Sequence, residues 1–449
     1  MINSEAENSK RIVITGLGLI SAAGFTTEEL WKACTNGESG IKPFSFPGSD
    51  FPRIRYAGAV DQFTGKIDDF GPLDPVKSKA IRKGLKLMSR EIQMGVASAQ
   101  RALNDADIEA GSIPSNRLGV SFASDYIITT PEEVQDGMKA CKEGDQFDFS
   151  RWPSQGLTKM TPIWQLKFLT NMPASHIAIY NEFFGFANAI TDRESSIGTV
   201  IAEAAEVIRK GKIDLMLVGA TGSRIHPFKM IHTLQQDEIA DPNLDPAKAC
   251  RPFDADRTGT VPGEGAGALI LEDLDHALAR KATIYAEVAG GSCRCATHLR
   301  RGRTSGCLLE GDIEKSITLT LSSLLEKTGL DPDKLGHLNA EGFGGQKSDA
   351  MEAKAIRAVF GKRADTLPIT ALKGHLGNPG AGSGALELIA SILALKNNAL
   401  FPILNNEKDD PDCPIHPVRE FGGDPGDSFI KLAWQSAGQS SAILVKRYE

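Results

Sequence analysis

The sequence predicts an α/β protein made of two related halves that pack as one body. The chain has 449 residues, a length that suits two or three core-forming units. Strand-like runs that end in glycine-rich turns and lead into helical stretches recur in both halves. No low-complexity linker separates the halves, so we expect them to share one structure.

In the first half, strand-like and helical runs alternate around one irregular stretch. The strand-like runs are short and apolar, whereas the helical runs have apolar residues three and four positions apart. Residues 125–185 follow neither period, and we interpret them as an insertion. The predicted elements are a strand over Arg11–Ala23, a helix over Lys86–Ala106, a strand over Leu118–Ser124, a helix over Ser196–Lys210 and a strand over Ile213–Gly219.

The stretch Asn188–Thr199, NAITDRESSIGT, has the layout of a strand, a tight turn and a helix start. In many enzymes such a turn carries the nucleophile. Here it carries Asp192, Arg193 and Glu194 instead. A charged trio at this place raises the question of whether the chain still performs chemistry.

The second half repeats the order of strand, glycine-rich turn and helix. Its most glycine-rich turn, KGHLGNPGAGSG, lies between a predicted strand and a predicted helix. The predicted elements are strands over Ile284–Gly290, His337–Ala340, Leu367–Ala371 and Ser440–Tyr448, and helices over Ile313–Leu330 and Ala385–Lys396.

Charge and cysteine content exclude several classes of function. The net charge of −7 argues against a nucleic-acid-binding protein. Seven scattered cysteines predict neither a disulfide framework nor a zinc site, so we expect no metal. The polar N-terminus has no signal core, and no run of about 18 apolar residues could span a membrane. We therefore expect a soluble, cytoplasmic protein.

The most specific stretch is Arg251–Glu272, RPFDADRTGTVPGEGAGALILE. It closely resembles the signature of the β-ketoacyl-acyl-carrier-protein synthases, the condensing enzymes of fatty acid and polyketide synthesis. The stretches RIVITGLGLISAAG, NAEGFGGQKSDAMEAKAI and ALKGHLGNPGAGSGALE resemble other blocks of that family, in the family's order. The resemblance implies a thiolase-like, duplicated α/β/α/β/α five-layer sandwich. It divides the chain into halves at 10–272 (with the insertion at about 125–185) and 273–449, and it implies a dimer.

Active members of that family use one Cys and two His, and the ungapped alignment implies that this chain has none of the three in place. Counting back from IDLMLVG puts the nucleophile position on Glu194, and the first His position falls on Glu341. Ungapped counting from Lys373 puts the second His position on Asn378, whereas an alignment with compensating gaps would put it on His375. The family's supporting Lys is kept as Lys373.

The resemblance also implies positions for substrate and partner contacts. Asp349 and Glu352 match acids of the family, and its two pantetheine-binding Thr positions become Phe343 and Gly345. The position of its gating Phe becomes Ser436. A basic loop could dock an acidic carrier protein or grip its phosphate, since such contacts favour Arg. Its residues are His298, Arg300, Arg301 and Arg303. We expect no cofactor of the chain's own, with substrates presented on the phosphopantetheine of acyl carrier protein.

Several interpretations of the charged residues stay open. Glu194 is a helix-start acid paired with Arg193 or Lys373, an imitation of an acylated nucleophile like the Gln of chain-length factors, or half of a carboxylate pair with Glu341. Lys373 is expected to pair with Glu352 or Glu194. His375 is either a hydrogen-bonded loop residue or a group that polarises a carbonyl.

Three hypotheses for function follow. The first is a ketosynthase-fold partner, without standard condensing activity, of an active Cys-bearing ketosynthase. The second is an altered enzyme that uses Glu194, Glu341, His375 and Asn378 on an acyl or malonyl thioester, for example as a decarboxylase or acyltransferase. The third is a non-enzymatic, acyl-binding homodimer.

Overall fold

A computed structural model describes residues 10–45, 53–109, 111–301 and 307–448, and the side chains of residues 298–310 lie outside that description. The strands of the first half are β1 (Ile12–Ile20), β2 (Lys42–Pro43), β3 (Tyr56–Ala57), β4 (Leu118–Ser124), β5 (Lys142–Glu143), β6 (Gln146–Phe147), β7 (Ala187–Ile190), β8 (Leu215–Ser223) and β9 (Glu264–Asp273). Its α-helices are α1 (Thr27–Asn36), α2 (Pro75–Gly84), α3 (Arg90–Asp105), α4 (Pro131–Ala140), α5 (Met172–Asn181), α6 (Ser196–Arg209), α7 (Pro227–Gln236) and α8 (Pro246–Ala249).

The second half continues this numbering. Its strands are β10 (Ala286–Cys295), β11 (Thr297–Arg301), β12 (Cys307–Gly311), β13 (His337–Asn339), β14 (Pro368–Thr370), β15 (His416–Pro417), β16 (Ser428–Trp434) and β17 (Gln439–Lys446). Its α-helices are α9 (Leu274–Ala279), α10 (Ile313–Thr328), α11 (Gln346–Phe360), α12 (Lys373–Leu376) and α13 (Gly382–Asn397).

The strand order shows the internal duplication directly. In the described residues, an eleven-stranded sheet runs β15-β14-β13-β16-β17-β10-β1-β9-β8-β4-β7. The two halves meet where β1 pairs with β10, and outwards from there they have the same chain topology. The order is β1-β9-β8-β4-β7 in the first half and β10-β17-β16-β13-β14 in the second. If the five strands of each set are counted in chain order, their order in the sheet is first, fifth, fourth, second and third in both sets. The halves join through a short antiparallel pairing in which Ile12 of β1 lies opposite Val288 of β10.

Helices α6 and α13 form a central layer between the two half-sheets. Helix α13 contacts β8 and β9 on one side and β16 on the other, and α6 contacts β8 on one side and both β10 and β17 on the other. Because α13 touches sheet on both sides, it is buried without a break over 382–395. Helices α3 and α5 cover the outer face of the first half-sheet, and α10 covers that of the second with α11 beside it. This arrangement is the predicted five-layer sandwich.

Most of the predicted elements are confirmed. Strand β4 has the predicted bounds, and the predicted strands and helices of the second half lie within a few residues of those observed. The elements not predicted include strands β9 and β16 and helices α1, α2, α7 and α11. The insertion is irregular over much of its length but also contains α4 and α5. The boundary between the halves at residue 272 stays a prediction.

None of the helices in the described residues has the length and apolar character needed to cross a membrane. The same residues contain no group of His, Cys, Asp and Glu side chains arranged to hold a metal ion. The cysteines for which the structure gives a side chain are all free thiols.

Candidate functional site

The turn between β7 and α6 brings Glu194 to the start of the central helix layer. Its backbone passes through Arg193 in the left-handed region, with φ of 49°, before one 3₁₀ turn leads into α6. The Ser195 hydroxyl donates to the carbonyl and to the carboxylate of Asp192, both at 2.8 Å, and so ties the turn together. The predicted succession of strand, tight turn and helix start is confirmed, and its Glu194 is only 1% exposed.

Glu194 is held as an anion by its neighbours. Its Oε1 accepts from Arg224 Nη2 at 2.5 Å and from Asn378 Nδ2 at 3.2 Å, while Arg193 Nε lies 3.5 Å from Oε2. Burial acts to raise the pKa of Glu194, but Arg224 and then Arg193 outweigh it and lower that pKa to about 2. The predicted neighbour Arg193 therefore lies close to Glu194. Lys373 does not form the expected ion pair with Glu194 and acts on it only at longer range.

Arg224 was not identified from the sequence, although it is the strongest partner of Glu194. It follows β8 directly and is 6% exposed. Its Nη1 donates to Asp237 Oδ2 at 2.9 Å, so one guanidinium joins two carboxylates. The sequence feature that could have identified Arg224 is its place directly after an apolar strand, because a charged side chain there needs a buried counter-ion.

A second cluster of charge lies around Glu341. Lys373 forms ion pairs with Glu341 and, at 2.7 Å, with Glu387. Lys431 lies 2.6 Å from Glu387 Oε2 and 3.5 Å from Glu341 Oε2. All four side chains are at most 2% exposed. The prediction that Lys373 pairs with Glu352 was wrong, because the nearer carboxylates of Glu341 and Glu387 surround its ammonium.

We call Glu341, Lys373, Glu387 and Lys431 the charge quartet. It contains two lysine ammonium groups and two glutamate carboxyl groups, so each carboxyl group that ionises has an ammonium group beside it. Burial raises the pKa of Glu341 and the Glu387 carboxylate adds to that rise, while Lys373 holds the pKa of Glu387 below its ordinary value against the effect of burial. Lys431 was not identified from the sequence. Glu387 was used there only to align the chain with the family, and no role was predicted for it.

Glu352 positions the loop that carries Glu341. Its carboxylate accepts from the backbone N–H groups of Glu341 at 2.7 Å and of Gly342 at 2.9 Å. Asp349, one turn earlier on α11, accepts from the N–H of Gly344 at 3.0 Å. Both acids lie on the buried face of α11 and act on backbone.

The structure separates His375 from Asn378. Asn378 Oδ1 accepts from the N–H of Gly380 at 2.9 Å, which turns its Nδ2 toward Glu194. His375 is fully buried, and its Nδ1 lies 2.9 Å from the carbonyl oxygen of Glu38. Burial lowers the pKa of His375. Asn378 therefore lies at the site, and His375 fills a structural position away from it.

A cavity of about 310 Å³ borders Glu194. Phe343 and Ser436, two of the positions predicted to contact substrate, line it. The Phe343 ring meets Trp434 edge to face at 4.8 Å between centroids, and Lys373 Nζ lies 5.0 Å from the centroid of the same ring. Phe343 therefore stands between the cavity and the charge quartet.

Gly345, which was also predicted to contact substrate, does not line the cavity. It caps α11, and a Cβ added there would lie 2.3 Å from Glu238 Oε2. Of the predicted basic loop, His298, Arg300 and Arg301 have their backbone in β11. Arg303 lies outside the described residues, as do the side chains of His298, Arg300 and Arg301, so the predicted docking role stays a prediction.

The site's chemistry is that of fixed charges. Neither Cys nor His lies among the described residues that contact Glu194 or line the cavity. No hydrogen bond joins the Glu194 and Glu341 carboxylates, because each is bound to different cations. The cavity wall combines apolar and aromatic side chains with hydroxyl, amide and charged groups, which suits an amphipathic ligand.

Comparison with known proteins identifies the family. The model described as "Beta-ketoacyl synthase, N-terminal domain" matches residues 9–277, and the one described as "Beta-ketoacyl synthase, C-terminal domain" matches residues 309–407. Two relatives are similar over most of the chain. A 3-oxoacyl-(acyl-carrier-protein) synthase 2 of Synechocystis sp. is 29% identical, with 98% of this chain and 99% of that one covered. The chloroplastic 3-oxoacyl-(acyl-carrier-protein) synthase I of Hordeum vulgare is 30% identical, with 92% and 84% covered.

Solved structures share the fold. The ishigamide ketosynthase/chain length factor superposes with a TM-score of 0.81 at 23% identity, covering 98% of this chain and all of that one. AntDE:AntF, a type II polyketide synthase acyl-carrier protein in complex with its ketosynthase bound to the hexaketide, gives a TM-score of 0.78 at 22% identity with the same coverage. These structures share the five-layer fold, and the matched family models together with the relatives show that the chain belongs to the β-ketoacyl synthase family.

Proposed function

We propose that this protein is a chain-length-factor-like subunit that pairs with an active, Cys-bearing ketosynthase and helps to shape the chamber for the growing acyl chain. The observation that carries the proposal is that Glu194, the residue that the sequence resemblance puts at the family's nucleophile position, is a buried anion held by arginine. The pathway would be fatty acid or polyketide synthesis, the substrates would be presented by acyl carrier protein, and the location would be cytoplasmic.

Glu194 is unsuited to hold an acyl chain. A carboxylate that takes up an acyl group becomes a mixed anhydride, which reacts readily with water. Two guanidinium groups withdraw charge from Glu194 and make it a weaker nucleophile still. A fixed anion at this position is compatible with a structural role and unfavourable for acyl transfer.

The remaining positions of the triad support the same reading. In active family members two His stabilise the charge that develops during decarboxylation and condensation. Here Glu341 is bound between two ammonium groups, and Asn378 is a neutral amide that donates to Glu194. Neither can supply an imidazole, and a carboxylate beside a developing negative charge would oppose it. The Glu194–Glu341 acid pair of an altered enzyme has one observation in its favour, because burial, the Glu387 carboxylate and, more weakly, Glu194 raise the pKa of Glu341 to about 8. No hydrogen bond joins the two carboxyl groups, however, and Glu194 is held as an anion by Arg224.

The cavity favours a second candidate, the acyl-binding homodimer. Ile313, Phe343, Met351 and Trp434 give its wall an apolar part suited to an acyl chain. This role needs neither a catalytic residue nor a Cys-bearing partner. The two candidates differ in the composition of the dimer, which is a heterodimer for the first and a homodimer for the second. That composition can be measured directly.

The test has an assembly arm and an activity arm. For assembly, the chain would be co-expressed with Cys-bearing ketosynthases of its own organism and analysed by native mass spectrometry. A one-to-one complex is expected, whereas a homodimer alone would favour the acyl-binding candidate. For activity, the purified chain would be mixed with malonyl- and acyl-carrier protein, with Glu194→Ala as the control. CO₂ and ketoacyl product would be followed by mass spectrometry, and neither is expected.

Ketoacyl product from the chain alone that is lost in Glu194→Ala would overturn the proposal and make Glu194 catalytic. Release of CO₂ without condensation would identify a decarboxylase. Condensation that requires both the chain and its partner's Cys is the outcome that the proposal predicts for the assembled complex.

A further inference from the structure

Helix α7 is attached to the rest of the molecule through a buried ammonium group. Lys229, in its first turn, is 2% exposed, and its Nζ forms an ion pair with the carboxyl group of Glu91 on α3. The same Nζ donates to the carbonyl oxygen of Ser223 at 2.9 Å. The other buried residues of α7 are Pro227, Met230 and Thr233. Because these apolar contacts are few, the contacts of Lys229 are a large part of what holds the helix.

A second buried carboxyl group faces the same ammonium group. Asp125 follows β4 directly, is 2% exposed, and interacts with Lys229 more strongly than with any other charged group. Glu91 Oε2 and Asp125 Oδ1 are buried and have no hydrogen-bond partner among the described residues. If both acids were ionised, these three side chains would hold one more negative charge than positive charge.

The neighbouring elements do not supply the missing positive charge. Three further cations face this region, and each lies against carboxylates of its own. Arg90 pairs with Glu264 at 2.7 Å. Arg224 joins Glu194 to Asp237, and Arg193 lies within 4 Å of the same two carboxylates. The charged neighbours of Glu91 and Asp125 beyond Lys229 are therefore three cations matched by three carboxylates, namely Arg90, Arg193, Arg224, Glu194, Asp237 and Glu264.

The remaining titratable neighbours are neutral near pH 7. Lys229 Nζ lies 5.1 Å from the centroid of the Tyr126 ring, and burial raises the pKa of that phenol. Burial, and then Lys229, lower the pKa of His226 to about 4. Neither group therefore offsets the excess carboxyl group at neutral pH.

Uptake of a proton removes the imbalance. Two carboxyl groups that share a buried site with one ammonium group favour a state in which one of them is protonated. Burial raises the pKa of Glu91 to about 7 against the effect of Lys229, and burial also raises the pKa of Asp125. Geometry and electrostatics thus agree on one extra proton.

We propose that Glu91 and Asp125 together hold one proton near neutral pH and that this proton keeps Lys229, and with it helix α7, in place. Loss of the proton leaves two buried carboxylates beside one ammonium group and weakens the attachment of the helix. Helix α7 leads directly into Asp237, a partner of Arg224, so its opening also disturbs the surroundings of Glu194. The inference is independent of the proposed function, because it is tested on the purified chain without a partner or carrier protein.

The first test measures unfolding by urea at pH 5 and pH 8. The unfolded chain has the ordinary Glu pKa of 4.5, so the folded protein binds the proton more tightly and loses stability as the pH rises from 4.5 through 7. The unfolding equilibrium constant of the parent should therefore rise between the two pH values by at least about tenfold more than that of Glu91→Gln. Glu206→Gln, on the exposed side of α6, is the control and should behave like the parent. A smaller difference between the parent and Glu91→Gln would overturn the proposal.

A buffer cation in place of the proton is a distinguishable outcome. It would make the stability at pH 8 rise with KCl but not with choline chloride at equal ionic strength, and this result would also overturn the proposal. Asp125→Asn makes the same test if Glu91→Gln does not fold, since either change removes the excess carboxyl group.

The second test locates the effect by hydrogen exchange and mass spectrometry. After correction for the intrinsic exchange rates, the amides of α7 should be about tenfold less protected at pH 8 than at pH 6, whereas those of α10 should be equally protected. In Glu91→Gln the protection of α7 should be the same at both pH values. Equal protection of α7 in the parent at pH 6 and pH 8, a measurement that needs no variant, would show that the proton does not hold the helix.

Discussion

Two buried clusters of charge lie on either side of Phe343, and they differ in how they are neutralised. None of the charge quartet's residues lines the cavity, and each of its two carboxyl groups lies beside lysine ammonium groups of the same cluster. Glu194 faces the cavity and is neutralised on one side by Arg224, while its Oε2 keeps no hydrogen bond. The comparison teaches that a sealed cluster must complete its bonds internally, whereas one beside a cavity can leave bonding capacity for a ligand or solvent.

The largest effect is expected when the sealed cluster loses a cation. Lys431→Met leaves Glu341 and Glu387 sharing one ammonium with no access to water. The free energy of unfolding should fall by about 3–5 kcal/mol, measured by guanidinium denaturation. The double variant Glu387→Gln/Lys431→Met removes both members of the ion pair that Lys431 makes at 2.6 Å and should recover a substantial part of the loss. A loss below about 1 kcal/mol in the single variant would contradict the internal balance of the quartet.

The same type of change beside the cavity should cost less. Arg224→Met deprives Glu194 and Asp237 of their shared guanidinium, but Arg193 remains near and water in the cavity can solvate the carboxylates. A loss of about 2 kcal/mol is expected in the same denaturation experiment. Lys210→Met, which breaks the exposed Lys210–Glu206 pair on α6, is the control and should cost less than about 0.5 kcal/mol. A cost at Arg224 equal to that at Lys431 would remove the distinction between the clusters.

The third expected effect is a pH dependence that belongs to Glu194. Its pKa in the folded protein is about 2, below the ordinary value of 4.5, so the unfolded chain binds the proton more readily. The stability from this group is complete above about pH 4.5 and is lost as the pH falls toward 2. Between about pH 2 and pH 4.5, the free energy of unfolding of Glu194→Gln should therefore change less with pH than that of the parent protein. The difference in slope should be at most about 1.4 kcal/mol per pH unit.

Denaturation at several pH values, with Glu206→Gln on the exposed side of α6 as the comparison variant, measures this slope. The Glu206 variant should keep the slope of the parent protein. Identical slopes for the parent and Glu194→Gln would mean that Glu194 does not carry the depressed pKa.

The sequence predicted the architecture well because the fold depends on patterns that are local in the chain. Apolar runs such as Leu118–Ser124 become buried strands, and the repeated order of strand, turn and helix becomes the two half-sheets. The position of Glu194 at a helix start could be predicted for the same reason. Strand β16 was missed although its run FIKLAW is apolar, because Lys431 interrupts the pattern.

The partners within the site could not be predicted because they are distant in the chain and are set by packing. Glu194 and Arg224 are 30 residues apart, and Lys431 and Glu341 are 90 apart. Charge alone did not distinguish Glu352 from Glu387 as the partner of Lys373. The useful signal was the surroundings of each residue, since Lys431 lies within an apolar strand and Glu387 within the apolar helix α13. A charged residue in such a run is almost always paired.

The ammonium protons of Lys373 and Lys431 are enclosed by protein on every side. Lysine protons on a protein surface exchange with water rapidly, but these can exchange only when the structure around Phe343 or the central layer opens. Their exchange lifetimes therefore report how often this part of the molecule opens. For the same reason, the two lysines cannot serve as a proton reservoir for whatever occupies the cavity, and any proton that moves there has to arrive from solvent through the cavity itself.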